Sequence, residues 1–204
     1  AGTRMKSELP KVLHEVCGRP MVSHVISQAK KAGAETIIAV IGHGAEQVKE
    51  GLKEEEILFA LQEKQLGTGH AVMQAADRIP DEGDVFVLCG DTPLITSETL
   101  AEFAAYHSGS NNAVTVLTAI FDNPFGYGRI IRGEDGNLQK IVEQKDADET
   151  EKAVKEVNAG MYCFNGAFLR ENLPKLSNQN AQNEYYITDL IGMAVESGAG
   201  AGAF

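Results

Sequence analysis

The chain has 204 residues, 43% of them hydrophobic, and its 18 Lys and Arg stand against 29 Asp and Glu for a formal net charge of −11. That length suits one large α/β domain with a sizeable buried core. The acidic balance excludes a broad nucleic-acid surface, which needs many cationic phosphate contacts, but leaves room for a small phosphorylated ligand held by a few cations.

In chain order, Met21 to Ala32 carries Val22, Val25, Ile26 and Ala29 at amphipathic-helix spacing, and Gly33 stops it. Thr36 to Ile41 is a β-branched run of the kind found in strands covered on both faces. The pattern then predicts a helix over Ala45 to Leu52, a strand at Ile57 to Leu61, a helix from His70 to Arg78 and a strand from Asp84 to Cys89. A helix from Glu98 to His107 and a strand from Ala113 to Ile120 complete an alternating order, which implies a Rossmann-like, doubly wound, mostly parallel sheet with helices on both faces and right-handed crossovers. After Phe121 the pattern changes. Gly128 to Arg132 and Leu138 to Glu143 flank Glu134-Asp135-Gly136-Asn137 as a hairpin, Val157 to Phe164 is a strand, and helices are expected over Ala167 to Leu173 and Ile187 to Glu196. This second half reads as a small β-rich subdomain laid across the ligand edge of the sheet. The Asp146 to Glu151 charge run reads as a solvated loop.

Three cysteines, Cys17, Cys89 and Cys163, form no C-x-x-C pair and read as reduced and cytosolic. No apolar stretch approaches the ~18 residues of a membrane span, and no signal peptide opens the chain. Both ends read as trimmed, and the alternating Gly/Ala run from Gly198 to Ala203 reads as a flexible linker or a gap in the chain. His14, His24, His43, His70 and His107 show no H-E-x-x-H motif and no Cys/His clustering, so no zinc site is expected.

Three segments could carry chemistry. Gly2-Thr3-Arg4-Met5-Lys6 joins a glycine turn to cations, with Lys11 close behind; such a turn can cradle phosphate, although the residue types alone read more readily as a solvated loop. Gly90-Asp91 lies at the carboxyl end of a strand, where open α/β sheets bind ligands. Asp91 is there either a hard oxygen ligand for magnesium or a cap of the turn before Pro93. Gln62 offers an amide suited to a nucleobase edge, and Gly67-Thr68 could present backbone groups to the same base; alternatively, Thr68 simply N-caps the next helix. Cys89 has no paired base and reads as a small core residue.

Taken together, these segments resemble the uridylyltransferase domain of the bacterial bifunctional N-acetylglucosamine-1-phosphate uridylyltransferase/glucosamine-1-phosphate acetyltransferases. The resemblance runs through Gly2-Thr3-Arg4-Met5-Lys6-Ser7, Leu9 to His14, Cys17 to Met21, Gln65 to Ala71, Gly90 to Leu94, Gly126 to Ile130, Ile141 to Glu143, Val157 to Gly160 and Asn183 to Asp189, so it covers nearly the whole chain. It implies a nucleotide-diphospho-sugar transferase fold over residues 1–204 and uridylyl transfer from UTP to N-acetylglucosamine 1-phosphate, giving UDP-N-acetylglucosamine and pyrophosphate. It also implies roles. Gly2, Thr3, Arg4 and Lys11 would hold the triphosphate, Gln62, Gly67 and Thr68 would select uracil, and Gly90 would line the nucleotide site. Asp91 would ligate Mg2+. Gly128, Glu143 and Asn158 would contact the sugar, supported by Tyr186 and Thr188. The family's first strand, a second magnesium ligand and the trimer-forming left-handed β-helix that binds acetyl-CoA have no counterpart in this sequence, so no acetyl transfer is expected from it. The sister activities, a glucose-1-phosphate uridylyl- or thymidylyltransferase, and a non-catalytic nucleotide-sugar-binding subunit are the alternatives.

Overall fold

The computed structural model describes residues 7–204, which divide into two compact units. The first takes in the chain up to Gln65 together with Leu88–Glu102. After a 3-10 turn at Lys11–Leu13, β1 (Glu15–Val16) and β2 (Arg19–Pro20) form a small antiparallel hairpin. Its two-residue turn puts Cys17 at φ 51° and Gly18 at φ 76°, the left-handed pair that matches the twist of such hairpins. Helix α1 (Met21–Lys31) follows directly from Pro20, buries Val25 and Ile26, and places Lys30 and Lys31 in its last turn, where they favour the negative helix end. Strand β3 (Ile38–Ile41), helix α2 (Ala45–Gly51) and strand β4 (Leu58–Leu61) then make a βαβ unit, with β3 and β4 parallel and in register from Ile38–Leu58 to Ile41–Leu61. Leu13, Ile26, Ile41, Val48 and Leu52 fill its core.

The second unit comprises Leu66–Val87 and Phe103–Phe204. It begins with α3 (Thr68–Met73) and β5 (Asp84–Val87), and takes the later part of α4 (Ser97–Ser110). Strands β6 (Val114–Ile120), β7 (Arg129–Arg132) and β8 (Leu138–Val142) precede the short helix α5 (Glu149–Lys152); β9 (Glu156–Asn165), α6 (Gly166–Asn172), α7 (Asp189–Glu196) and β10 (Ala201–Ala203) complete it. The sheet runs β10-β6-β9-β7-β8, with β5 also on β9. The ten-residue β9 organises this layout. Along one side it pairs antiparallel with β6, and along the other it meets β7 at Val157 and β5 from Tyr162 to Asn165. Between those partners the register shifts, and Gly160 adopts φ 76°. The α/β class expected from the sequence is present, and the sheet is mixed: β10 runs parallel to β6, whereas β9 enters antiparallel between β5 and β6. Val114, Val116, Ile130, Phe164, Leu169, Ile187 and Ile191 anchor the core. Among the described residues no helix is long and apolar enough to cross a membrane.

Two sequence expectations fail here. The Gly/Ala tail is a strand, not a linker: Ala201–Ala203 pairs parallel with Val114–Val116, and a Cβ on Gly202 would sit 2.4 Å from the Asn112 side-chain nitrogen, which would have to turn aside. The acidic run is largely exposed, as expected, but its second part is a short helix and not a loop. Asp148 caps α5 by accepting from the Glu151 N–H while the Glu151 side chain accepts from the Asp148 N–H, a reciprocal capping box that charge content concealed.

Candidate active site

In the first unit, Lys11 sits in the 3-10 turn after Pro10, and Asp91 follows the strand that ends at Val87. Their side chains meet at 2.5 Å, Nζ to Oδ2, with 46% and 34% of each exposed. Asp91 therefore faces a cation instead of capping the turn before Pro93. The turn is closed by Thr92, whose hydroxyl donates to the Cys89 carbonyl at 2.7 Å. A Cβ at Gly90 would make ordinary contacts, 3.4 Å from Val12 and Val22, so packing within the protein does not demand a glycine there. Burial and the Asp91 charge push the Cys89 thiol up, which keeps it protonated and a poor nucleophile. Gln62, just past β4, is buried, with its N–H donating to Ile41 at 2.7 Å. Gly2, Thr3 and Arg4 lie outside the described residues.

In the second unit, Gly67 has φ 109°, and a Cβ on it would lie 2.6 and 2.8 Å from the Tyr185 carbonyl oxygen and nitrogen. The two segments are laced together. The Tyr185 N–H donates to Leu66 at 2.8 Å, the Gly69 N–H to Tyr185 at 2.8 Å, and the Ile187 N–H to the Thr68 hydroxyl at 3.1 Å. Thr68 thus does not cap α3; its oxygen accepts from the Ile187 N–H, and Gly67 takes the N-cap position. The backbone of Tyr185 is the partner that residue patterns missed, because main-chain atoms carry no sequence signal.

The sugar-side residues expected from the sequence converge in the same unit. The Asn158 N–H donates to Gly128 at 2.9 Å, and a Cβ on Gly128 would come 3.3 Å from a Glu143 oxygen and 3.5 Å from the Asn158 Cβ. Asn158 is held at both ends of its amide: its nitrogen donates to the Tyr162 hydroxyl at 2.7 Å, and its oxygen accepts from the Gly160 N–H at 2.8 Å. Asn158 stands opposite Thr118 on β6, beside the register shift in the β6–β9 pairing. Burial, then the Asp146 charge, pushes the Glu143 carboxyl up, with Asp189 and Glu184 adding to it. The buried Thr188 hydroxyl partly offsets this, near enough to favour the charged form without closing a hydrogen bond of ordinary geometry. Tyr186 accepts from Gln182 at 2.8 Å and donates to Asp146 at 3.3 Å, and burial pushes its phenol up to about 12. Asp146, which also accepts from the Ala181 N–H at 2.9 Å, is the side chain that sequence reasoning overlooked, since it opens the charge run.

The first unit therefore presents a cation beside a hard anionic oxygen. The second presents a carboxylate beside a fixed amide, a mixture of hydrogen-bond donors and acceptors. The model of the nucleotidyl transferase family matches residues 2–204. Curated relatives named bifunctional protein GlmU are 56% identical over 204 residues in Alkaliphilus oremlandii, covering 100% of this chain and 44% of that protein. The counterpart in Geobacillus thermodenitrificans is 57% identical over 191 residues, covering 93% and 41%, and that in Clostridioides difficile is 53% identical over 203 residues, covering 100% and 44%. The chain thus spans less than half the length of the relatives it matches. A solved UDP-glucose pyrophosphorylase complexed with UDP-glucose has a TM-score of 0.70 at 19% identity, covering 93% of this chain and 79% of that one, which speaks for the fold alone.

Proposed function

The chain belongs to the nucleotidyl transferase family, and from that premise we propose that it transfers a uridylyl group from UTP to N-acetylglucosamine 1-phosphate, releasing pyrophosphate. The observation that carries this reading is the Lys11–Asp91 pair. An exposed ion pair is worth at most ~1 kcal/mol, so both partners can exchange each other for substrate groups at little cost. Lys11 then neutralises charge at the α-phosphate while the sugar phosphate oxygen attacks the α-phosphorus in line and the bond to pyrophosphate breaks. Arg4, with Gly2 and Thr3, all outside the described residues, holds the triphosphate. Positioning and charge neutralisation supply the acceleration, and no covalent intermediate on the protein is needed.

The donor set suits magnesium: Asp91 gives a partly exposed carboxylate, and Mg2+ is commonly held by one or two carboxylates plus substrate phosphates. When bound, the ion supplies charge neutralisation across the phosphates. On the base side, Gln62 with the backbone at Gly67 and Thr68 selects uracil, and Gly90 leaves space against the nucleotide. On the sugar side, the fixed Asn158 amide reads the N-acetyl group, Glu143 accepts from a sugar hydroxyl, Gly128 admits the ring, and Tyr186 and Thr188 support that wall. We also propose that the reaction takes place in the cytoplasm and that the intact protein assembles as a trimer through a C-terminal β-helix.

The test is pyrophosphate release with N-acetylglucosamine 1-phosphate against glucose 1-phosphate. The acetylated sugar is expected to give the higher kcat/KM. Preference for glucose 1-phosphate would instead assign the chain to a sister activity, and nucleotide-sugar binding without turnover would make it a binding subunit.

A further inference from the structure

A row of side chains on one face of the second unit's sheet is not used by the proposed reaction. Cys163 on β9 lies opposite Phe86 on β5 and Thr115 on β6, and Asp84 stands two residues before Phe86, so Asp84, Cys163 and Thr115 share a face. Helix α4 lies over that face: Phe103 packs on Phe86 with ring centroids 5.6 Å apart, and one turn later His107 meets Thr115 at 2.8 Å through Nδ1. The remaining imidazole nitrogen, Nε2, comes 3.5 Å from Asp84 Oδ1. The ligand atoms of Asp84, His107 and Cys163 all lie within 4.8 Å of one another.

We infer that Asp84, His107 and Cys163 form a zinc site, distinct from the magnesium chemistry of the nucleotide, with water as the fourth ligand. The donor set decides the metal. A thiol, an imidazole and a single carboxylate suit Zn2+, whereas Mg2+ and Ca2+ take oxygen ligands. The spacing of the His107 and Asp84 ligand atoms is close to what zinc needs. Zn–N and Zn–O bonds of ~2.0–2.1 Å in a tetrahedron put those ligand atoms about 3.3 Å apart, and the observed 3.5 Å is longer than an ordinary hydrogen bond. The outer shell is also in place: Thr115 engages the His107 Nδ1 atom, and Ser108 donates to the other Asp84 oxygen at 3.2 Å. His107 and Cys163 are 2% and 0% exposed, and the Asp84 side chain is 36% exposed, so the entry path and the water lie on the Asp84 side.

Binding converts the Cys163 thiol to a thiolate and releases its one proton to solvent, with no change of oxidation state.

Cobalt(II) titration of the tag-free, metal-stripped protein tests the assignment, because a thiolate on tetrahedral cobalt gives a charge-transfer absorption. One equivalent is expected to bind with that absorption, to be displaced by Zn2+, and to lose the band in Cys163→Ser while keeping it in Cys17→Ser and Cys89→Ser. Asp84→Asn, on the open side of the site, covers the case in which Cys163→Ser does not fold. Zinc, but not magnesium, should raise the melting temperature of the unaltered protein by several degrees, and Asp84→Asn should lose at least half of that rise. No charge-transfer band in the unaltered protein, a band that survives Cys163→Ser, or an equal zinc response in Asp84→Asn overturns the inference.

Discussion

Asp91 and Lys11 hold each other in a contact that water reaches, which separates their value for chemistry from their value for folding. Asp91→Ala should leave the far-UV circular dichroism and the unfolding midpoint nearly unchanged, because exposed substitutions rarely move stability by more than ~0.5 kcal/mol. Turnover should fall roughly 100- to 1,000-fold, the usual loss when one preorganised charge-stabilising group is removed; near-normal pyrophosphate release would take Asp91 out of the site. Glu143 behaves in the opposite way. Its folded pKa lies above the unfolded value, so stability is fully present at low pH and is lost as pH rises through the folded pKa. Glu143→Gln should therefore melt at a higher temperature than the unaltered protein at pH 7 to 8, with the difference closing as pH falls below the folded pKa. The same variant should raise the KM for the sugar phosphate. Thermal unfolding followed across pH, together with initial rates, checks both halves.

At the scale of elements, the lacing of the Gly67–Gly69 loop to Tyr185–Ile187 is the feature most exposed to a single change. A Gly67→Ala methyl meets backbone atoms on the opposite segment that cannot rotate away, at a left-handed φ. We expect a loss of about 1–3 kcal/mol in urea unfolding, with a weaker apparent affinity for UTP; an unchanged midpoint would show that the loop yields. Much of the element order was legible beforehand because periodicity is local. The Val22, Val25 and Ile26 stripe of α1 and the β-branched runs of β3 and β6 state their own structure. What periodicity could not convey was pairing. Nothing near residue 156 announces that β9 will enter antiparallel between β5 and β6, and the three glycines and alanines of β10 carry no strand preference at all. The candidate site followed the same division. Lys11, Asp91, Gly128, Glu143 and Asn158 were expected from their motifs, and each set meets within its own unit; Asp146 and the Tyr185 backbone emerged only from the fold. The histidines, unclustered in sequence, likewise hid the contact of His107 with Asp84 and Cys163, which arrive from three separate elements.

For the molecule as a whole, the two units hold different parts of the proposed chemistry, with Lys11 and Asp91 in one and Glu143 and Asn158 in the other. The chain covers 44% of the length of its Alkaliphilus oremlandii relative. Expressed alone, these 204 residues are expected to release no coenzyme A from acetyl-CoA with glucosamine 1-phosphate, and measurable release would revise the activity proposed for this chain. Strand β10 has a consequence for colloidal behaviour. It covers the outer edge of β6, whose Val114-Thr115-Val116-Leu117-Thr118-Ala119-Ile120 sequence has no charge and no proline. Phe204 seals the arrangement, with its N–H donating to Val116 at 2.9 Å and its ring on Phe103 and Tyr106. Deleting residues 201–204 would leave an open, β-branched edge of the kind that templates intermolecular strand addition. Such a protein should scatter light in proportion to its concentration at temperatures where the unaltered chain stays clear, so residues 201–204 shield an uncharged, β-branched strand edge.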